Sequence, residues 1–351
     1  ARVNTFKWKL WQNYAIDSTR YEQSWEYDLY IKLAEPAIAA LRALGAADFG
    51  DECVVLAHEF MGMPTALAAR LDPSGAFRTA FYAHEVSTMR RIVEGLPGHD
   101  LSFYNVLSNA IEHDRYVTDV FGPQDGYYRH ALVNASRHCD RILAVGDYIV
   151  KELRFMGPEF ADAAITTTYN GIPYEQITLG ERRASQERLR RYAEILLGDR
   201  PDYVFTHVTR TCTSKALWRD LRVLERLEPA FRQSGKSAVL FVLSTEVPPR
   251  RPADVLEMEK WWHWPVAHRE KDPDLSYGEA LFYVGVQEFN ARSRQIKVVY
   301  VNQFGWDRAV CGQRMPADMA FADIRRGVDV EFGQSIYEPF GISHLEPLTF
   351  G

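Results

Sequence analysis

Hydrophobic and polar positions follow two alternating rhythms along this chain. At 27–44, apolar residues recur at helical spacing and stop at Gly45, which reads as a helix and its terminator. A short apolar run at 53–57 follows the turn-like Phe49-Gly50-Asp51 and reads as a buried parallel strand. The same alternation continues with a helix at 63–70, a strand at 78–83, a helix ending at 134–138, a strand at 141–145, a helix from 147 and a strand at 165–169. Asn170-Gly171-Ile172-Pro173 must then turn. Strands that alternate with helices predict a parallel, doubly wound sheet.

A second series begins with a charged helix at 181–197, broken by Gly198-Asp199-Arg200-Pro201. It continues with a strand at 203–208, a helix at 215–232 and a strand at 237–243. No clear strand shows between 248 and 294, a stretch holding Pro248-Pro249-Arg250-Arg251-Pro252 and Trp261-Trp262-His263-Trp264-Pro265. It reads as a mainly helical insertion before strands resume at 297–301 and 328–332. The fold class expected is α/β, with two Rossmann-like domains whose parallel sheets face a central cleft. They are placed at 1–180 and 181–351, with the insertion at about 248–294 in the second.

Composition narrows the function classes. Of 351 residues, 46% are hydrophobic and 25% charged, an ordinary globular balance. The net charge of −6 points away from nucleic acid and from anionic membranes. No apolar run has membrane-spanning length and no secretory pattern is present. Cys53, Cys139, Cys212 and Cys311 are far apart and show no metal-ligand spacing. Reduced thiols in the cytoplasm and no metal site are therefore expected.

Candidate chemistry sits where strands end. Arg210 and Lys215 lie between a predicted strand and a predicted helix, where they can aim two cations at a diphosphate beside helix-terminal N–H groups. His84 closes the strand at 78–83, at the end of a doubly wound sheet where ligands bind; the other readings are a helix cap or a solvated ring. Glu338 and Glu346 are eight positions apart, with Pro339-Phe340-Gly341 directly after the first. This spacing predicts Glu338 in a loop after a strand. Glu346 then falls about two turns into the following helix, on its cleft-facing side. The tryptophan cluster can stack sugars by their apolar faces, or pack the insertion or an oligomer interface.

The pattern Glu338-x7-Glu346 resembles the Glu-x7-Glu element of retaining GT-B glycosyltransferases. Arg210-x4-Lys215 resembles their Arg-x4-Lys element, with Ala216 where that family often has Gly. His58-Glu59-Phe60 is similar to the His-Glu-Trp segment of glycogen and starch synthases, and Tyr169-Asn170-Gly171-Ile172 to their Pro-Asn-Gly-Val turn. The order of these elements from about Cys53 onward carries the likeness.

The resemblance implies transfer of a hexosyl unit, glucosyl above all, with retention and without metal or other cofactor. The donor would be a nucleotide-diphosphate sugar such as UDP- or ADP-glucose, and the acceptor a glycan or small hydroxyl compound. Arg210 and Lys215 would hold the leaving diphosphate, and Glu338 the donor hydroxyls. The N–H groups of Phe340, Gly341 and Ile342 would bind the sugar, and Glu346 the ribose. His84 would face the anomeric centre. Asn170 and Gly171 read as a hinge or a donor contact, and His58 and Glu59 as structural support or acceptor contacts. The family's first strand and Gly-rich loop would precede Ala1, and further elements would follow Gly351. Two other classes remain open: a nucleotide-sugar epimerase of GT-B fold, and a non-catalytic member that binds glycans or partners. A homo-oligomer is compatible with all three.

Overall fold

The computed structural model describes residues 2–48 and 53–350. The expected turn at 49–51 lies outside the described residues. The chain forms two compact units, Ala1–Asn170 and Gly171–Gly351. The sequence reading places its division at 180/181; the stretch 168–178, without regular structure, separates β4 from α9.

The first unit opens with α1 (Arg2–Tyr14) and α2 (Trp25–Ala43). It continues through β1 (Val54–His58), α3 (Glu59–Arg70), β2 (Arg78–Ala83), α4 (Ser87–Gly95), α5 (His99–Glu112), α6 (Val117–Phe121) and α7 (Tyr128–Asn134). It closes with β3 (Arg141–Ala144), α8 (Asp147–Met156) and β4 (Ile165–Thr167). The strands run parallel in the order β1-β2-β3-β4, with Ala57 opposite Phe81 and Ala83 opposite Ala144. Helix α2 buries Tyr27, Ile31, Ala34 and Ile38, one stripe at helical spacing. Helix α3 lies tight on β1: a Cβ at Gly62 would stand 2.8 Å from the Ala57 Cα.

The second unit runs α9 (Leu179–Leu197), β5 (Tyr203–Val208), α10 (Trp218–Ser234), β6 (Ala238–Leu243), α11 (Pro252–Trp262), α12 (Tyr277–Arg292), β7 (Ile296–Val301), α13 (Arg308–Cys311), α14 (Phe321–Gly327), β8 (Val330–Glu331) and α15 (Ile342–Leu345). Thr178 and Glu181 cap α9 reciprocally and Gly198, at φ +82°, stops it. All six residues of β6 are buried, because both faces of the sheet are covered. Val239, Phe241 and Leu243 pack with α9, α11 and α14, while Leu240 and Val242 pack with α10 and α12. Each such side chain contributes about 1.5–3 kcal/mol on burial.

This sheet is parallel in the order β7-β6-β5-β8. From β5 the chain winds outward through β6 to β7, then returns to the other side of β5 as β8. The direction therefore reverses between β5 and β8, and such a switch point opens a crevice at the carboxyl ends of the two strands. The expected insertion is present as α11 and α12 with their loops.

Three local expectations are corrected. The helix expected from 215 starts at Trp218, because Thr213–Lys215 is a single 3-10 turn and Ala216 takes φ +45°. The strand expected at 328–332 is reduced to Val330–Glu331. Glu346 is not two turns into a helix: α15 has four residues and Glu346 begins a 3-10 segment after it.

Candidate functional site

In the second unit both sequence motifs arrive at the switch point. The loop after β5 carries Arg210 and Lys215, and the loop after β8 carries Glu338. Backbone bonds tie the loops together: the N–H of Ile336 donates to the Ser214 carbonyl at 2.7 Å, and that of Tyr337 to the same oxygen at 3.3 Å. Lys215 is 7% exposed, and its ammonium forms an ion pair with the Glu338 carboxylate. Arg210 is exposed. Thr211 braces its loop from below, its hydroxyl 2.7 Å from that of Ser244 and 3.1 Å from that of Tyr300.

Ala216 occupies the place where the resemblance expects glycine, and its left-handed φ explains why glycine suits it. An L-residue there bears roughly 1–2 kcal/mol of strain. Ala216→Gly is expected to stabilise the fold by about 0.5–1 kcal/mol, since glycine's larger unfolded-state entropy offsets part of the relief. Urea denaturation of the two proteins checks this; a lower midpoint for the variant would contradict it.

The turn after Glu338 has little space around its one glycine. A Cβ on Gly341 would meet the Glu338 side chain at 2.8 Å and the His344 ring at 2.6 Å. Phe340 and Gly341 lead from Glu338 into α15, which opens at Ile342, and His344 folds back to the Gly333 carbonyl. Glu346 is held by Arg325, which also grips Glu331 on β8. Burial pulls the Arg325 guanidinium below its ordinary pKa, and Glu346 opposes that shift.

Beneath these loops is a polar core that sequence reasoning missed. His207, next to last in β5, bonds through Nδ1 to the buried Asp220 carboxylate at 2.7 Å. Gln334 reaches Asp220 from the loop after β8. Burial raises the Asp220 pKa, while His207 and Gln334 counteract it. The insertion has its own polar centre at Arg250, 7% exposed, which pairs with the fully buried Glu279 and bonds to the carbonyls of Pro273, Asp274 and Asn302. The tryptophan cluster splits three ways. Trp264 is wholly buried and donates to Asn302, Trp262 packs partly buried under Arg269, and Trp261 is 65% exposed.

In the first unit, His58, His84 and Tyr82 gather at the carboxyl ends of β1 and β2. His58 Nδ1 lies 2.9 Å from His84 Nε2, and the Tyr82 and His84 ring centres are 4.4 Å apart. Burial first, then the neighbouring His58, holds His84 below the ordinary histidine pKa, so its ring is neutral at neutral pH. Tyr82 donates to the Thr168 carbonyl at 2.7 Å and lies 3.2 Å from Asn170 Oδ1. Neither Asn170 nor Gly171 has positive φ, and a Cβ on Gly171 would meet nothing within 4 Å. Phe60 packs edge-on to Tyr30 and Tyr128 and sits under the Arg129 guanidinium.

Glu59 turns inward. It is 8% exposed at φ +58°, and its Oε1 accepts the N–H groups of His84 and Glu85 at 2.5 and 2.8 Å. Burial pushes its carboxyl up to about 7, against those two donors, which favour the charged form. The folded state thus keeps this proton between about pH 4.5 and 7 while the unfolded chain releases it. Stability from Glu59 is fully present below that window and falls as pH rises through it, by on the order of 3 kcal/mol. In Glu59→Gln the amide oxygen keeps both N–H bonds without the titration. Stability relative to that variant, from urea curves at several pH values, should decline across the window; a constant difference would refute the assignment.

No family model matches the chain, and no curated protein sequence matches it. Solved structures do. An α,α-trehalose-phosphate synthase (UDP-forming) from Burkholderia xenovorans, in complex with glucose-6-phosphate, aligns with 99% of this chain at TM-score 0.53 and 14% identity. The chain spans 67% of that structure's length. The corresponding synthase of Burkholderia vietnamiensis aligns at TM-score 0.51 and 13% identity, with 99% of this chain and 66% of that one covered. A trehalose-6-phosphate protein from E. coli, bound with UDP-2-fluoro glucose, aligns at 0.51 and 14%, covering 92% and 60%. The fold is GT-B. At these identities the likeness extends to architecture alone: two Rossmann-like units with parallel four-stranded sheets. In the GT-B frame the Arg210–Lys215 loop and the Glu338 loop belong to the second unit and the histidine pair to the first. Among the described residues no helix is long and apolar enough to cross a membrane.

Proposed function

We propose that the chain moves a hexosyl unit from a nucleotide-diphosphate sugar to a hydroxyl acceptor, with retention at the anomeric carbon. The observation that carries this reading is the Lys215–Glu338 ion pair at the switch point between β5 and β8. It brings the two motifs together where a doubly wound sheet binds ligands. An incoming diphosphate would take Lys215 from Glu338 and add the exposed Arg210. The released Glu338 would accept donor hydroxyls. As the bond from C1 to the diphosphate oxygen breaks, the two cations offset the charge that builds there. The acceptor oxygen bonds to C1 on the same face and its proton passes to the departing phosphate. The N–H groups of Phe340, Gly341 and Ile342 would bind the sugar, and Glu346 the ribose. His84 is assigned to the sugar by resemblance. The architecture shared with UDP-forming synthases supports UDP-glucose as donor, and the glucose-6-phosphate in one of them makes a sugar phosphate an acceptor to try beside a glycan.

Thermal-shift measurement with UDP, ADP, GDP and their glucose conjugates tests the binding half, since a ligand of the folded form raises its melting point. Mass analysis of products formed with glucose 6-phosphate or a maltooligosaccharide tests the chemistry. A glycosylated acceptor is expected. An epimerised nucleotide sugar would establish the epimerase reading, and no shift with any nucleotide would sink both.

A further inference from the structure

We propose that Arg325 is a positioning residue for nucleotide recognition: by gripping Glu331 of β8 and Glu346 together, it aims the Glu346 carboxylate at the ribose hydroxyls. The inference deepens the reading above and rests on its assignment of Glu346 to the ribose. Nothing in either sequence motif points to Arg325, which comes from α14.

The geometry is that of a buried root and an open tip. The Arg325 side chain is 4% exposed and the Glu331 side chain 6%, whereas that of Glu346 is 41% exposed. Nη1 of Arg325 pairs with Glu331 Oε1, and Nη2 donates to Glu346 Oε2. The Phe321 ring lies 5.4 Å from the guanidinium carbon and limits its swing. Glu331 is fixed by the sheet, since β8 pairs with β5 at Phe205 and Thr206. Order therefore passes from strand to guanidinium to the exposed carboxylate.

Glu346 needs such a support. It follows the single helical turn of α15 and lies in a 3-10 segment, so regular structure does little to set its side chain. A flexible glutamate loses rotamer entropy when it binds a ligand. The planar fork of an arginine, anchored on a buried partner, removes that loss in advance and fixes the carboxylate plane. With Oε2 held, the direction of Oε1 is set as well. Ribose recognition needs this, because hydroxyl donors are selected by direction as well as distance.

Loss of the guanidinium leaves Glu331 buried without its cation, so two variants separate function from folding. Arg325→Lys keeps one charge but cannot fork to two carboxylates. Arg325→Met with Glu331→Gln removes the stranded charge. UDP, ADP and GDP are each titrated calorimetrically against their 2′-deoxy counterparts, with melting points recorded in parallel. The unaltered protein is expected to prefer the ribonucleotide by about tenfold, the value of a hydrogen bond to a charged group. Both variants should bind the ribonucleotide more weakly and lose that preference. A merely structural arginine would weaken the two ligands equally and leave their ratio intact, which would overturn the proposal. If the unaltered protein shows no preference, Glu346 does not read the ribose, and the parent assignment falls with the proposal.

Discussion

Lys215→Ala is expected to lower kcat/KM for glycosyl transfer by about 100- to 1,000-fold, or roughly 2.7–4 kcal/mol of transition-state stabilisation. The ammonium is nearly buried, so its charge acts in a setting that water screens poorly. Its loop is tied to the Glu338 loop, since the Ser214 carbonyl accepts the N–H groups of Ile336 and Tyr337. The cation therefore needs little reorganisation when charge develops on the leaving oxygen. Arg210 is more exposed, so Arg210→Ala should cost less. Initial rates of nucleotide release measure both. The variant should also show whether Glu338 competes with the donor. With Lys215 absent, Glu338 is a lone carboxylate near a diphosphate, and nucleotide binding should weaken together with the rate. A Lys215→Ala protein that turns over normally would remove the diphosphate assignment.

The largest effect on stability is expected from Arg250→Ala, at about 3–5 kcal/mol, the cost of leaving a buried charge without its partner. Glu279 is fully buried and takes Arg250 through both oxygens, with additional N–H donors at Glu246 and Ser276. Arg250 also bonds to main-chain carbonyls at Pro273, Asp274 and Asn302, so its removal leaves several acceptors unmet. The midpoint of urea unfolding should fall accordingly, and Arg250→Lys, which supplies one point charge, should restore only part of the loss. An unchanged midpoint would mean that water replaces the guanidinium without cost. This network also meets the loop that carries Arg210 and Lys215: Thr245 bonds to Glu279 and its carbonyl accepts from the Thr211 N–H. Damage to it should reach Arg210 through two hydrogen bonds.

Much of the architecture is legible in the sequence because buried parallel strands leave continuous apolar runs. The 203–208 run coincides with β5, and 78–83 with β2. The strand expected at 328–332 is longer than β8: the N–H groups of Asp329 and Phe332 still reach β5 carbonyls, but only Val330 and Glu331 take strand register with it. Helix α5 buries the apolar stripe Phe103, Leu107 and Ala110, a signal at helical spacing that the sequence analysis does not use. In the site, Lys215 and Glu338 are legible as motif members, and the structure brings them together. His207, Asp220, Gln334 and Arg325 are not, because each looks like an ordinary polar residue of a strand, helix or loop. They meet their partners across 114 sequence positions for Gln334 and Asp220, and across 21 for Arg325 and Glu346. No local periodicity encodes such a meeting. Glu59 lies between these cases: the sequence singles it out, but only the fold shows its carboxylate turned inward toward the His84 turn.

Strand β1 pairs on one side only among the described residues, and Val54 and Leu56 on it are 56% and 44% exposed. Bare amides beside greasy side chains are an invitation to unwanted self-association. Val54→Lys would blunt that rim at the end of the strand away from His58. Anyone purifying this polypeptide at high concentration would do well to make that change first.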